Sequence, residues 1–536
     1  MSWQARLCRV LIGEDFGPFA AKVANQMLLK GRLSLFDLVR FTGLTQKQVR
    51  ESLVVLVHHG LVYFTEPDPG QRGPTYYQAD ADKITMRLRI GLILRVTQEQ
   101  YGQEAFNVCK ILYAHGRMRI GDLLDYVAET EGKTKKKMTD YTRAFTKLAV
   151  AELITAVLPE HSRSNVDRLL YAQEKEAEKY MITTAKDMMA IKKAAQAQVD
   201  AEFAVVEGIG MKRKAVDSLG SENKRAAREA DDVVIDEKVF FTINYDKYNM
   251  IFRNNAIIDY ATERINRTAG QVIKAFLDYG KDKMKSLQEN DSPSTTPLHI
   301  VNMLPSELLT QGDIVLQPDP MDPNRKPSAN DVVKGYIMLL KTDQAGFITS
   351  KDERGANQYA VNFAKLRETM KRRVFEGLIR DKYGVATCRI VRILLEKGKL
   401  DETQVTKLAM LPPKDTREKL ALLNTKGIVE IQEVPRSADR APSRTFHLWY
   451  VPLEKCYQEL VVDVYRAIGN IQQRKQRELE IRSRLIDKLN REDVKANMDL
   501  LSEADKREVA EMERVLQRLE TSKKRLDEII MIFRDF

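Results

Sequence analysis

A mainly α chain with small β-wings, laid out as four tandem winged-helix domains plus a C-terminal antiparallel helical coiled coil, is the fold class the sequence predicts. Three observations predict it. An apolar helix ending at a glycine and a basic residue recurs along the chain. A second glycine follows the first at the same separation in two copies. The C-terminal stretch then changes to apolar residues alternating by three and four.

The first copy reads Leu28-Leu29-Lys30-Gly31-Arg32-Leu33-Ser34, with a second helix predicted from Ser34. Glycine just past a helix tolerates the left-handed backbone that caps it. Val49, Leu53, Leu56 and Val57 place one apolar face on a third helix, closed by His59-Gly60. Leu61–Thr65, a Pro/Gly/Asp-rich turn and Thr75–Ala79 read as a β-hairpin. Helix, short strand, helix, helix, hairpin is the winged-helix order.

The second copy runs from Leu112 through Gly116-Arg117-Met118 to Leu123. An insertion at Glu129 to Lys137 delays its third helix, predicted over Thr139–Glu152 and followed by a strand at Leu153–Val157. The segment from Glu174 to Asp200 is helix-prone and charged, and Gly208 to Asp232 reads as disordered. Two basic clusters there, Lys212-Arg213-Lys214 and Lys224-Arg225 with Arg228, resemble a bipartite nuclear import signal; a solvated linker is the plainer reading.

The next unit is predicted from a helix over Thr268–Tyr279 ending at Gly280-Lys281, then a polar insertion from Gln288 to Thr296. Leu298–Leu304, a helix at Asp331–Lys341 and a hairpin from Gly346 to Phe363 complete it. The last copy has Gly398 and Gly427 at the same separation as Gly31 and Gly60, then strands at Ile428–Val434 and Thr445–Val451.

In the tail, Val509, Met512, Leu516, Leu519, Leu526, Ile530 and Phe533 form a seam broken at Lys523. Tyr457 to Leu485 keeps the same rhythm, interrupted at Arg474 and Glu478. A turn near Asn490 to Asp499 and a capping box at Ser502–Asp505 predict a folded-back pair. Each fully buried Leu or Ile contributes roughly 1.5–3 kcal/mol to such a pair. A dimerising coil in trans is the alternative. The expected boundaries are 1–85, 86–174, a linker at 175–240, 241–366, 367–452 and 453–536.

Composition narrows the function. The 536 residues carry 87 Lys and Arg against 76 Asp and Glu, a net charge of +11. That excess suits a polyanionic partner as well as plain solubility. No apolar run approaches membrane-spanning length. The four cysteines are scattered without zinc-ligand spacing and read as reduced, buried thiols. No phosphate-binding loop, nucleophile elbow or H-E-x-x-H run occurs, so neither a catalytic residue nor a cofactor is expected. His58-His59 and His115 stand at helix C-termini, where a cation is favourable.

The candidate working surface is the third helices and wings. Lys47 and Arg50 lie on the first; Lys135, Lys136, Lys137, Arg143 and Lys147 surround the second. Lys414, Arg417 and Lys419 sit on the last, with Arg436, Arg440 and Arg444 on its wing. Such residues can neutralise DNA phosphates. The alternative is a protein-binding face, and Glu51 and Glu418 beside Arg50 and Arg417 favour it.

Leu7-Cys8-Arg9-Val10-Leu11-Ile12, Val49-Arg50-Glu51-Ser52-Leu53, His58-His59-Gly60-Leu61-Val62 and Tyr77-Gln78-Ala79-Asp80 resemble a known family. It is the tandem winged-helix subunit of DNA-directed RNA polymerase III, related to the alpha subunit of general transcription factor II E. The resemblance extends over nearly the whole chain. It implies a nuclear, non-catalytic subunit of a heterotrimer, with two other subunits, docked on the polymerase clamp. It implies a role in initiation facing factor III B, assisting the binding and opening of promoter DNA, single- or double-stranded. A scaffold subunit of another large assembly and a dimeric winged-helix regulator are the competing classes.

Overall fold

A computed structural model describes residues 2–66, 73–131, 135–179, 184–206, 209–213, 233–305, 328–351, 357–435, 445–497 and 500–536. The chain divides into two compact units, Met1–Tyr248 with Tyr465–Lys524, and Asn249–Val464 with Arg525–Phe536. It is mainly helical, with small antiparallel sheets.

The first unit opens with α1 (Trp3–Lys30), interrupted at Gly17. β1 (Leu33–Ser34), α2 (Leu35–Thr42), α3 (Gln46–His58), β2 (Val62–Thr65) and β3 (Tyr76–Ala79) follow. Ser34 caps α2 through a capping box with Asp37, as the Ser-x-x-Asp spacing dictates. The sheet has the order β1-β3-β2, with Leu33 opposite Tyr77 and Val62 opposite Ala79. Val49, Leu53 and Leu56 turn one face of α3 into the core.

α4 (Ala81–Met86) and α5 (Ile90–Tyr101) lead to α6 (Gln103–His115), α7 (Ile120–Glu131) and α8 (Lys135–Val150). β4 (Ile154–Ala156) comes next, then α9 (Asn165–Ala177), α10 (Ala185–Val206), β5 (Met211–Arg213), β6 (Val233–Ile235) and β7 (Phe241–Ile243). β4 pairs with β7, and Met118 bridges to Phe241. Residues 157–240 are therefore an insertion within a wing. The boundary expected at 241 differs from this pairing, since Phe241–Ile243 completes the second sheet. Phe241 is buried, edge-on to Phe145 at 5.3 Å between ring centroids.

α11 (Tyr245–Arg264) begins in the first unit and continues in the second, where α12 (Arg267–Tyr279), α13 (Pro297–Met303) and α14 (Ala329–Thr342) precede β8 (Ile348–Ser350) and β9 (Tyr359–Val361). The polar stretch expected as an insertion carries sheet contacts: Asp291 bridges to Asn362 and Thr295 to Tyr359. Gly280 does not take the expected left-handed form; its φ is −91 and its ψ is 1. α15 (Phe363–Tyr383), α16 (Val385–Lys397), β10 (Leu400–Asp401), α17 (Glu402–Ala409), α18 (Pro413–Thr425), β11 (Glu430–Pro435) and β12 (Thr445–Tyr450) follow. Their sheet has the order β10-β12-β11, the same as in the first unit.

The repeat is sharper in backbone angles than in sequence. Gly31, Gly116 and Gly398 share φ near +80 and ψ between −138 and −127, a conformation open to glycine. Each is preceded, at one constant separation, by Gly17, Gly102 or Gly384, all near φ +88 with extended ψ. The third helix closes with one hydrogen-bond pattern in three places. Leu61, Leu153 and Ile428 donate their N–H to Leu56, Leu148 and Leu423 at 3.0, 3.0 and 2.9 Å. Gly60 and Gly427 supply the left-handed residue at two of them; Glu152, at φ 60, supplies the other.

The tail comprises α19 (Leu453–Ile481), α20 (Ser483–Leu489), α21 (Glu492–Ala496) and α22 (Glu503–Ile530). α21 occupies part of the expected turn. Tyr457 meets Phe533 at 5.0 Å between centroids, Lys475 meets Glu520 at 2.8 Å, and Lys488 meets Asp505 at 3.0 Å. Within the first unit one number rises as the other falls, so α19 and α20 run antiparallel to α22 there.

Candidate nucleic-acid interface

The first third helix presents two kinds of surface. Thr45 caps α3 in a capping box with Gln48. Lys47 is exposed and lies 3.9 Å from Glu51. Arg50 is exposed and lines a cavity of about 560 Å³ with Leu53, Val54, Val57, Phe64 and Tyr77. Val54 is 68% exposed and Phe36, one residue into α2, is 76% exposed. This surface is apolar with a rim of mixed charge, Arg50 and Arg117 against Glu66, unlike a purely phosphate-binding face.

On α8, Tyr141, Phe145 and Leu148 are buried. Lys136, Arg143 and Lys147 are exposed on the opposite side, spaced to share one stripe with Asp140 between them. Lys137 is also exposed, and Lys135 is the first residue of the helix. On α18, Lys414 is exposed and Lys419 half-buried, while Arg417 is held by Glu402 at 2.9 Å. That ion pair draws Arg417 across to α17. Arg436, Arg440 and Arg444 lie outside the described residues.

Of the import-signal candidates, Lys212 and Arg213 belong to β5, paired with Val234 and Val233. This differs from the disordered reading of Gly208 to Asp232 at its N-terminal edge. Lys214, Lys224, Arg225 and Arg228 lie outside the described residues.

The histidines correct a sequence expectation. His58 and His59 end α3 against Gly116, where an added Cβ would lie 3.0 Å from the His58 carbonyl oxygen and 3.2 Å from His59 Nδ1. Burial, then the Arg87 guanidinium, then His58 and His115 hold the His59 imidazole down to about 4. Burial and Arg117 lower His58 as well. At neutral pH His59 is uncharged, so it is no cation for the helix C-terminus. Arg87, whose charge disfavours protonation of His59, pairs with Asp15 at 2.5 Å and stacks over Tyr113 at 4.0 Å.

Asp167 escaped the sequence reading. It stands in the first turn of α9, capped by Ser164, and accepts hydrogen bonds from Arg32 and from Thr65 Oγ1, the latter at 3.1 Å. Burial works to raise its carboxyl; the hydrogen bonds from Arg32, Ser164 and Thr65 outweigh that and hold it below the usual range. The inserted helices are thereby fastened to the first wing. Ser164-x-x-Asp167 was legible as a cap, but its partners lie more than a hundred residues away. Among the described residues the four cysteines form no disulfide, and all are buried. Among the described residues no helix is long and apolar enough to cross a membrane.

Residues 6–67 match the family described as RNA polymerase III subunit RPC82 helix-turn-helix domain. Residues 143–370 match RNA polymerase III subunit RPC82, and 375–451 match the POLR3C C-terminal winged-helix domain. The chain is 24% identical to DNA-directed RNA polymerase III subunit RPC3 of Homo sapiens, over 98% of this chain and 95% of that one. It is 23% identical to the Rattus norvegicus protein of that name, over 99% and 98%. It is 25% identical to subunit RPC-3 of Coccidioides immitis, over all of both chains.

Proposed function

The chain belongs to the RNA polymerase III subunit RPC82 family, and from that membership we propose that it is a non-catalytic subunit of RNA polymerase III acting in transcription initiation. It docks on the polymerase clamp in a heterotrimer with two other subunits, faces initiation factor III B, and assists binding and opening of promoter DNA at genes for small untranslated RNAs such as tRNA and 5S rRNA. Its place of action is the nucleus. One observation carries the reading: the likeness runs end to end, through both compact units, in relatives that all bear the polymerase III subunit name.

Division of labour among the third helices supports the finer reading. The apolar cavity beside Arg50 suits protein contact. The exposed lysines of α8, and Lys414 of α18, suit phosphates, with salt-sensitive and sequence-tolerant affinity. Lys47, Lys135, Lys136, Lys137, Arg143, Lys147, Lys414 and Lys419 stand as the DNA candidates; Arg50 goes with the apolar cavity that it lines, and Arg417 is weakened by Glu402. Affinity purification of the tagged chain from its own cells tests the assignment. Recovery of polymerase III subunits in stoichiometric amounts is expected; recovery of a different complex without them would overturn it.

A further inference from the structure

A strained residue stands in the last helix-turn-helix where the first has glycine. Met410 follows α17 with φ 52 and ψ 45, in the left-handed region. Gly43 occupies the same turn after α2, with φ 66 and ψ 16. Glycine takes this conformation freely, whereas an L side chain crowds its own backbone there. A single exposed apolar side chain is ordinary. One that is 86% exposed and also held in a disfavoured backbone conformation is not.

The surroundings fix it in place. Met410 N–H donates to the Thr406 carbonyl. The Arg389 guanidinium donates to the Ala409 carbonyl at 3.1 Å. Ala409 and Leu411 on either side are drawn into the core, and Pro412 and Pro413 follow with restricted φ. The neighbours face inward while the Met410 thioether is turned out. Lys407 and Lys414 flank it, both exposed and in no ion pair among the described residues. The turn leads directly into α18. In a docked helix-turn-helix, that end of the recognition helix meets the bases.

We propose that Met410 is a base-contacting residue for DNA whose pairs are opened or kinked. Its thioether packs on the exposed edge or face of a nucleobase, as apolar wedges do, while Lys407 and Lys414 meet the adjoining phosphates. This rests on the DNA-binding reading above. It is tested by fluorescence anisotropy of the full chain with a labelled duplex carrying a thymine-rich unpaired bubble, across a salt series. Met410→Gly keeps the turn and removes the side chain. It should bind about five-fold more weakly, the loss of part of one methionine's burial. The slope of affinity against salt should stay unchanged, because no phosphate contact is lost, and the melting temperature should not fall. Met410→Asn, which also tolerates the left-handed turn, should show the same loss. Equal affinity for wild type and both variants would overturn the proposal and leave the DNA-binding reading standing. Unchanged DNA affinity with reduced recovery of polymerase subunits would overturn it in favour of a protein contact. Absence of salt-sensitive binding by the wild type would end both.

Discussion

Three non-glycine residues among those described sit at positive φ, and two of them explain features of the repeat. Glu152 is the residue that replaces the closing glycine of the second copy. Its carboxylate pairs with Lys247 at 2.8 Å, and its carbonyl accepts from Asn244 Nδ2 at 2.9 Å. Contacts on both sides offset the local cost. Histidine 59 makes a pH prediction at the same scale. Its folded pKa, about 4, lies below the unfolded value of 6.5. Below 6.5 the unfolded chain takes up a proton that the folded chain refuses. The stability from the neutral ring is therefore complete above 6.5 and is lost as pH falls toward 4. His58, shifted the same way, adds to this. Thermal melts at pH 7 and pH 4.5 should show wild type losing roughly 2–4 °C more than His59→Gln. Parallel losses would remove His59 from the account.

At the scale of elements, the second copy is the instructive one. Its wing pairs β4 with β7, and everything between them is inserted. α9 and α10 pack on one another through Leu169, Ala172, Ala195 and Val199. Asp167 then fastens this pair to Arg32 and Thr65 of the first copy. A charge-assisted hydrogen bond of this kind contributes about 1.5–3 kcal/mol. Asp167→Ala should speed amide hydrogen exchange over 165–177 by at least ten-fold, while exchange in α3 stays as in wild type. Unchanged exchange over α9 would show that the helices are held by apolar packing alone. The insertion was visible in sequence as a charged, helix-prone stretch. Its membership in a wing was not, because a three-residue strand carries no signal of which distant strand it pairs with.

For the whole molecule, the question the C-terminal hairpin raises is whether its seam is closed in cis or by a second copy in trans. Tyr457, packed edge-on to Phe375 at 5.7 Å, also meets Phe533, so the hairpin and the last winged-helix copy share one core within the second unit. In the first unit, Gln472 is buried against Glu14, and Arg466 lies 5.0 Å over the Trp3 ring. The interruptions at Arg474 and Glu478 are an ion-pair chain, Arg474–Glu478–Arg482. Met512, Ile530 and Phe533 of the seam are buried, while Val509, Leu516, Leu519 and Leu526 are half-buried; a seam closed within one chain predicts sedimentation as one copy at micromolar concentration. A concentration-dependent dimer would return the seam to a trans pairing and favour a dimeric regulator.

Helix ends, caps and turns were legible along the chain. These depend on local spacing: glycines at helix ends, Ser34 and Asp401 as caps, and apolar residues every three or four positions. The sequence also carried the family likeness, since long strings such as Val49 to Leu53 survive without knowledge of contacts. Tertiary structure decided what depends on distant partners. It made His59 neutral by burying it beside Arg87, took Arg417 out of the free cations by pairing it with Glu402, and assigned Phe241–Ile243 to the second sheet. Charge state, free charge and strand pairing are properties of neighbourhoods, and the neighbourhoods here are assembled from residues far apart in the chain.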